Sequence, residues 1–438
     1  MTVSARTLTS ALAERVGRDR VLDGVETLTA FAIDGRTPRC VVRPQSLEQV
    51  AVVLALAWDE KLAVIPRGAG TTQTLGAPPA RLDVVLDLTA LDRVIEDNPD
   101  DLTIRVQAGL TAGALAQRLA RRHQWLPVDP PAWRSRTLGG LVATGAAGPL
   151  RTRYGTLRDL VLGVRFVQAE GVVTWGGAGV VKSVTGYDVP KLIVGSLGTL
   201  GVVGELALRL QPMPDVERTW LATFGWVGAA QEFVSAVGAS SLQPNRIELL
   251  NEAALRACEM VGGPVAVAVT IGSAAASVRE QGERLQALAG AADASIAPFE
   301  GEFWTRYDAA LMPAEGEVVL HIATLPSHLA ETVAAVQGAL PPEQDGAAMI
   351  TGSPLIGTLR VALTGVEADT IKPLLGDVRA FVGALGGSVV VQSAPAAVRD
   401  RIDPWGPIDA GALSLMRAIK QEFDPRGVLN PGRFVGGL

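Results

Sequence analysis

The chain has 438 residues and a formal net charge of −6, with 48% apolar and 19% charged residues. That length allows roughly two or three domains of about 150 residues each, and the apolar share supports a large core and excludes global disorder. The acidic balance argues against a nucleic-acid partner, which selects for a basic face.

The start, Met1 to Gly17, has a helical pattern and arginines but no continuous apolar core, so it is not read as a secretory signal. Val41 and Val42 mark a short strand ended by Arg43-Pro44-Gln45-Ser46. Ser46 with Gln49 fits a capping box. The helix that follows buries Leu47, Val50, Leu54, Ala57 and Trp58 on one face. A second strand, Leu62-Ala63-Val64-Ile65, runs into the loop Pro66-Arg67-Gly68-Ala69-Gly70-Thr71-Thr72. The unit reads β-α-β with a small-residue loop at the carboxyl end of its second strand, a favoured ligand position. Backbone N–H groups in such a loop can converge on an anion, above all a pyrophosphate. The loop has neither the Lys-Ser/Thr of a nucleoside triphosphate site nor a G-x-G-x-x-G opening a helix.

Leu82 to Leu88 reads as a strand, and Arg93–Glu96 with Leu102–Val106 as a hairpin around Asn98-Pro99-Asp100. Thr111 caps a helix that buries Leu115 and Leu119. The stretch Leu126 to Pro131 cannot be helix. Two further glycine zones follow. One runs from Thr137-Leu138-Gly139-Gly140 through Thr144-Gly145 to Gly148. The other runs from Ser183 to Asp188 and on through Gly195 to Gly201-Val202-Val203. Each lets backbone approach something closely. After Pro212-Met213-Pro214, strand-like runs (Trp220–Phe224, Val265–Ile271, Val318–Ala323, Thr358–Leu363, Ser388–Val391) alternate with Ala-rich helices as a second α+β domain. The tail ends in a helix and Asn430-Pro431-Gly432-Arg433.

Cys40 and Cys258 are too few for an iron–sulfur cluster and are read as ordinary core residues. No apolar run approaches the roughly 20 residues of a membrane span. A soluble cytoplasmic chain is expected, peripheral to the inner membrane only through partners.

Taken together, these zones resemble the FAD-binding domain of the vanillyl-alcohol oxidase / p-cresol methylhydroxylase type, over about residues 35–212 plus the C-terminal Asn430 to Arg433. Gly186-Tyr187-Asp188, Leu192 to Val203 and Phe423 to Arg433 look most like the E-type FAD-binding subunits of bacterial glycolate oxidases. The resemblance implies an α+β fold: a helical segment over 1–34, a PCMH-type FAD-binding domain of two α/β subdomains over 35–212, a cap over 213–395, and a segment over 396–438 returning to the flavin. It implies that Arg67 to Thr72 hold the pyrophosphate and that Thr137, Leu138, Gly139, Gly140, Thr144 and Gly145 line the flavin and its ribityl chain. Gly195, Gly201, Val202 and Val203 would lie along the cofactor, and Asn430 and Arg433 would return to the ring. Thr71 and Thr72 stand where some members carry a flavin-linking His, so the FAD is expected to be non-covalent.

Oxidising a 2-hydroxy acid needs a cation for the carboxylate, a base for the hydroxyl proton, and C2–H placed over the flavin. Arg306, in Phe303-Trp304-Thr305-Arg306-Tyr307, and Arg360, in Leu359-Arg360-Val361, are the candidate carboxylate holders. Arg306 resembles an Arg of related dehydrogenases that contacts substrate. The only histidines are His123, His321 and His328, and the His-x-Gly-Asp-Gly-Asn-x-His metal motif of D-2-hydroxy-acid dehydrogenases is missing. No metal is expected, and His321 reads as a core or interface residue. The absence fits an FAD-carrying subunit that works beside a catalytic flavoprotein subunit and an iron–sulfur subunit in oxidising glycolate. A self-sufficient oxidase or dehydrogenase of an alcohol, sugar or D-2-hydroxy acid, and a non-catalytic relative, stay open.

Overall fold

The computed structural model describes residues 5–178, 186–292, 294–312, 314–341, 346 and 348–438. Ser183 to Thr185, the start of the third glycine zone, lie outside the described residues.

The first sheet sets three parallel strands, Cys40–Val42, Val84–Asp87 and Val64–Arg67, beside the antiparallel edge Val21–Leu22. The expected β-α-β strands are therefore not neighbours, because Val84–Asp87 sits between them. The strands are apolar throughout, as suits a sheet covered on both faces. Cys40, Val42, Val64, Val84 and Leu86 pack under the helices Ala5–Val16 and Leu47–Glu60, while Val41, Ile65 and Val85 pack against Ile33 and Phe31. The N-terminal helix thus shares the core of this subdomain through Leu8, Leu12 and Val16. Ser46 Oγ accepts from Gln49 N at 3.3 Å, but Gln49 Oε1 reaches Gln45 N at 2.7 Å, so the capping box is displaced by one residue.

The second sheet is antiparallel throughout, in the order Val94–Asn98, Thr103–Gln107, Val202–Arg209, Val161–Val167, Val173–Gly177. Of the two subdomains, only the first is of parallel α/β type. Part of the second glycine zone forms a short helix, Leu138–Thr144, whose cap Thr137 Oγ1 accepts from Gly140 N at 3.2 Å. Gly139 lets this helix sit on the Ala108 turn, since a Cβ there would lie 2.8 Å from the Ala108 Cβ.

The cap is an eight-stranded antiparallel sheet. Five strands match runs read from the sequence, and Arg246–Asn251, Ser295–Pro298 and Met349–Ser353 were not foreseen. One face buries Ile247, Leu249, Leu320, Ile350, Leu359 and Val361 among core contacts that include Phe233, Leu285, Val333 and Leu375 from four helices. Side chains alternate across a strand, so Arg246, Glu248, Thr351, Ser353, Arg360 and His321 share the opposite face.

The tail returns to both subdomains. Ile419 and Phe423 of the helix Ala410–Phe423 pack on the second core, and Leu429 bridges Val64 in the first. Lys420 Nζ clamps the return, donating to Asp424 Oδ2 at 2.6 Å, Thr199 O at 2.8 Å and Leu429 O at 3.1 Å.

Candidate active site: a cofactor cleft and a polar cap face

The small-residue loop faces a cleft between the two subdomains. One part, with about 380 Å³ of empty space, is lined by Pro66, Arg67, Gly68, Leu88, Ala108, Thr137, Gly139, Gly140, Ala143, Gly198, Gly201 and Val203. It adjoins a larger part of about 550 Å³, lined by Pro66, Gly68 to Gln73, Leu75, Arg136, Thr137, Gly140, Ala143, Thr144, Leu197, Asn430 and Arg433. Pro66, Gly68, Thr137, Gly140 and Ala143 line both, which makes one elongated channel. Its glycines are required by space. A Cβ on Gly68 would lie 2.0 Å from Thr137 Oγ1, and Gly70 has φ +76°.

The channel is suited to FAD on its own chemistry. It has a small-residue backbone cradle in the middle and an acceptor and a cation with capacity left over. Asn430 donates through Nδ2 to Leu197 O, while its buried Oδ1 has no partner among the described residues. Arg136 is 6% exposed and donates to Thr144 Oγ1 at 2.9 Å; burial pulls its pKa down to about 10, with no nearby carboxylate to offset it. A guanidinium stays protonated at neutral pH, so Arg136 presents a buried charge that an anionic cofactor can neutralise. Arg433 is also buried, but it donates to Gln73 Oε1, Gln73 O and Leu75 O, and so holds the turn that follows the glycine loop.

Most residues expected at the cofactor are gathered here: Pro66 to Thr72, Thr137, Gly139, Gly140, Thr144, Gly201, Val203, Asn430 and Arg433. Leu138, Gly145, Gly195 and Val202 do not line the channel. Leu138 and Val202 are core residues, and Gly145 meets Gly195 back to back, where a Cβ would lie 3.4 Å from Gly195 Cα. Among the described residues no His or Cys lines it. Burial pushes the Cys40 and Cys258 thiols up to about 12 and about 11, far from the thiolate form.

The polar cap face is turned toward the FAD-binding domain and fastened to it. Arg246 Nε donates to Asp129 at 2.8 Å, while its Nη1 donates within the cap to Glu217 at 2.8 Å; Asn245 Nδ2 donates to Tyr154 Oη at 2.8 Å, and Ala132 N donates to Asp308 at 3.0 Å. Asp129 also accepts from Leu150 N at 2.9 Å, which fixes the approach to Arg151. Deeper in, Glu248 accepts from Tyr307 Oη at 2.8 Å and from Ser353 Oγ. Burial pushes its carboxyl up to about 8, against those two hydrogen bonds. Arg360 Nη2 reaches Glu317 at 3.4 Å, while the buried Nη1 has no partner among the described residues. His321 pairs in register with Arg360, and burial, followed by the charge of Arg151, pushes its imidazole down to about 4.

The two candidate carboxylate holders part company. Arg306 donates to Glu259 O at 3.2 Å and lines a hollow with Leu221, Met260 and Pro298, none of which lines the channel. Arg360 is on the face that looks toward the FAD-binding domain. Sequence reading missed Arg136, which stands one residue before the expected Thr137, and Glu248 and Ser353, which sit on short strands it did not recognise. Among the described residues no cluster of His, Cys, Asp and Glu could hold a metal, and no helix is long and apolar enough to cross a membrane.

Comparison with known proteins agrees with the channel. Residues 38–177 match the FAD binding domain family, and residues 407–434 match the C-terminal domain of FAD linked oxidases. The chain is 26% identical to glycolate oxidase subunit GlcD of Bacillus subtilis over 420 residues, covering 90% of this chain and 88% of that one. It is 31% identical to the mitochondrial D-lactate dehydrogenase [cytochrome] of Arabidopsis thaliana over 316 residues, covering 68% of this chain and 55% of that one. p-Cresol methylhydroxylase superposes with a TM-score of 0.78 at 16% identity, covering 98% of this chain and 96% of that one. Residues 38–177 are therefore an FAD binding domain, and the chain is an FAD-linked oxidoreductase with the p-cresol methylhydroxylase-type fold.

Proposed function

We propose that this chain is the FAD-binding subunit of a glycolate oxidase-type complex and oxidises a small 2-hydroxy acid, glycolate first, passing electrons to partner redox subunits. Bound FAD, held without a covalent link, would accept the hydride from C2 of the acid. The observation that carries the reading is Arg360, a buried guanidinium on the inner cap face whose Nη1 has no partner among the described residues. A carboxylate can use that donor, and a planar fork holds it in one orientation. The names of the relatives, a glycolate oxidase subunit and a D-lactate dehydrogenase, support the same substrate class. The missing histidine-rich motif supports a subunit whose electrons leave through a flavoprotein and an iron–sulfur partner. The second reading, a self-sufficient dehydrogenase, is favoured by the imidazole beside Arg360.

The test is anaerobic titration of the FAD-loaded chain with glycolate and D-lactate, comparing wild type with R360Q. Loss of one charged hydrogen bond is worth about 1.5–3 kcal/mol, so R360Q should weaken substrate binding by about tenfold to a hundredfold with the flavin spectrum intact. Equal affinity in R360Q would remove Arg360 from the reading. Co-purification with an iron–sulfur protein separates the subunit from the self-sufficient enzyme.

A further inference from the structure

We infer that His321 is the base that takes the hydroxyl proton of the substrate, beside a carboxylate seated on Arg360. The inference rests on the hydroxy-acid reading above. Strand pairing sets Thr351, Arg360, His321 and Val390 side by side on the inner face of the cap sheet. Directly opposed residues have Cβ atoms about 4.5–5.5 Å apart. The pairing sets both side chains on one face of adjacent strands, where one small acid can meet Arg360 through its carboxylate and His321 through its 2-hydroxyl. His321 is half-buried, and among the described residues none hydrogen-bonds its ring, unlike the neighbouring Glu248, Tyr307 and Arg246.

The surroundings hold the imidazole in its neutral form. Arg360 faces His321 from the next strand, with Glu317 tied to it, and Val390 on the other side is apolar. Arg151 approaches from the FAD-binding domain, with Glu248 in its field. With no anion bound, burial and Arg151 keep the imidazole neutral, the form that can accept a proton. A bound carboxylate offsets the cationic field and raises the basicity of His321 only once substrate is seated. In the balanced step the hydroxyl proton would go to the ring nitrogen of His321 and the C2 hydride to bound FAD, and the C–O single bond would become the carbonyl of glyoxylate.

The experiment is histidine-ring NMR of the FAD-loaded chain with and without oxalate, a carboxylate that cannot give up a hydride. The chain has only three histidines, so H321Q assigns the signal. Saturating oxalate should raise the His321 titration midpoint by at least one pH unit. In anaerobic mixing with glycolate, H321Q should reduce its flavin about 10²–10⁴-fold more slowly, with oxalate affinity within threefold of wild type. Oxalate that perturbs the flavin spectrum while His321 does not move would overturn this inference alone, as would wild-type reduction by H321Q. Oxalate that perturbs neither would overturn the hydroxy-acid reading and this inference with it. The wild-type titration decides the matter even if H321Q loses FAD.

Discussion

Tyr307 Oη donates to Glu248 Oε2 across 2.8 Å, joining the Phe303–Ala310 helix to the Arg246–Asn251 strand inside the cap. Glu248 is 2% exposed, and burial pushes its carboxyl from 4.5 up to about 8. Between those values the folded chain holds more protons than the unfolded one, so this group makes stability fall as pH rises from 4.5 to about 8. E248Q keeps a neutral side chain and should lose that slope. Its melting temperature relative to wild type should climb over the interval by about 1 °C for each kcal/mol recovered. A difference that stays constant with pH would show that Glu248 is ionised in the fold.

Gly140 separates cofactor loss from misfolding. It lies in the first turn of the Leu138–Thr144 helix and lines both parts of the channel, and a Cβ there would meet only Thr137 Oγ1, at 3.0 Å. Gly to Ala in a helix gains up to about 1 kcal/mol, so the apo form of G140A should be as stable as wild type or slightly more so. Its FAD affinity should fall by at least about tenfold, or 1.4 kcal/mol, read by fluorescence titration. G68V, which would strike Thr137 itself, should purify colourless.

Arg136 has no carboxylate partner in the channel, so its charge is available to an anionic cofactor. R136M keeps much of the side-chain length and removes the charge. Charged hydrogen bonds are worth about 1.5–3 kcal/mol, so the FAD dissociation constant should rise by about tenfold to a hundredfold, and the loss should be smaller in high salt. Unchanged affinity would make Arg136 a packing residue.

Lys420 ties the tail to both subdomains, and its partner Asp424 has a side chain that is 0% exposed. K420M leaves that carboxylate buried without a counter-charge, and breaking a buried pair in this way costs about 3–5 kcal/mol. Calorimetry should show the loss, and FAD retention should fall with it, because the tail carries Asn430 into the channel.

The cofactor half of the site was legible in the sequence because backbone closeness demands glycine, and glycine clusters are visible. Gly68, Gly70, Gly139 and Gly201 were found this way. Gly145 and Gly195 carried the same signal for a different reason, close packing of one segment on another. The cap half was hard to read. Arg246–Asn251 and Met349–Ser353 are short strands whose inward side chains are Arg246, Glu248, Thr351 and Ser353, so the apolar run that announces a buried strand is interrupted where the chemistry lies. Arg306 drew attention through its aromatic neighbours, but Phe303 and Tyr307 face a local core and leave Arg306 exposed. His321 looked like a core residue because it sits in an apolar strand, and only the sheet register shows that Arg360 is beside it.

Anaerobic addition of glycolate and D-lactate to the purified FAD-loaded chain, followed in the visible spectrum, tests most directly whether the channel and the inner cap face form one oxidising site. The flavin bands should bleach with at least one of these acids, and heat denaturation should release the FAD into solution. Bands that stay oxidised with both acids, in a chain that holds its flavin, would contradict the assignment.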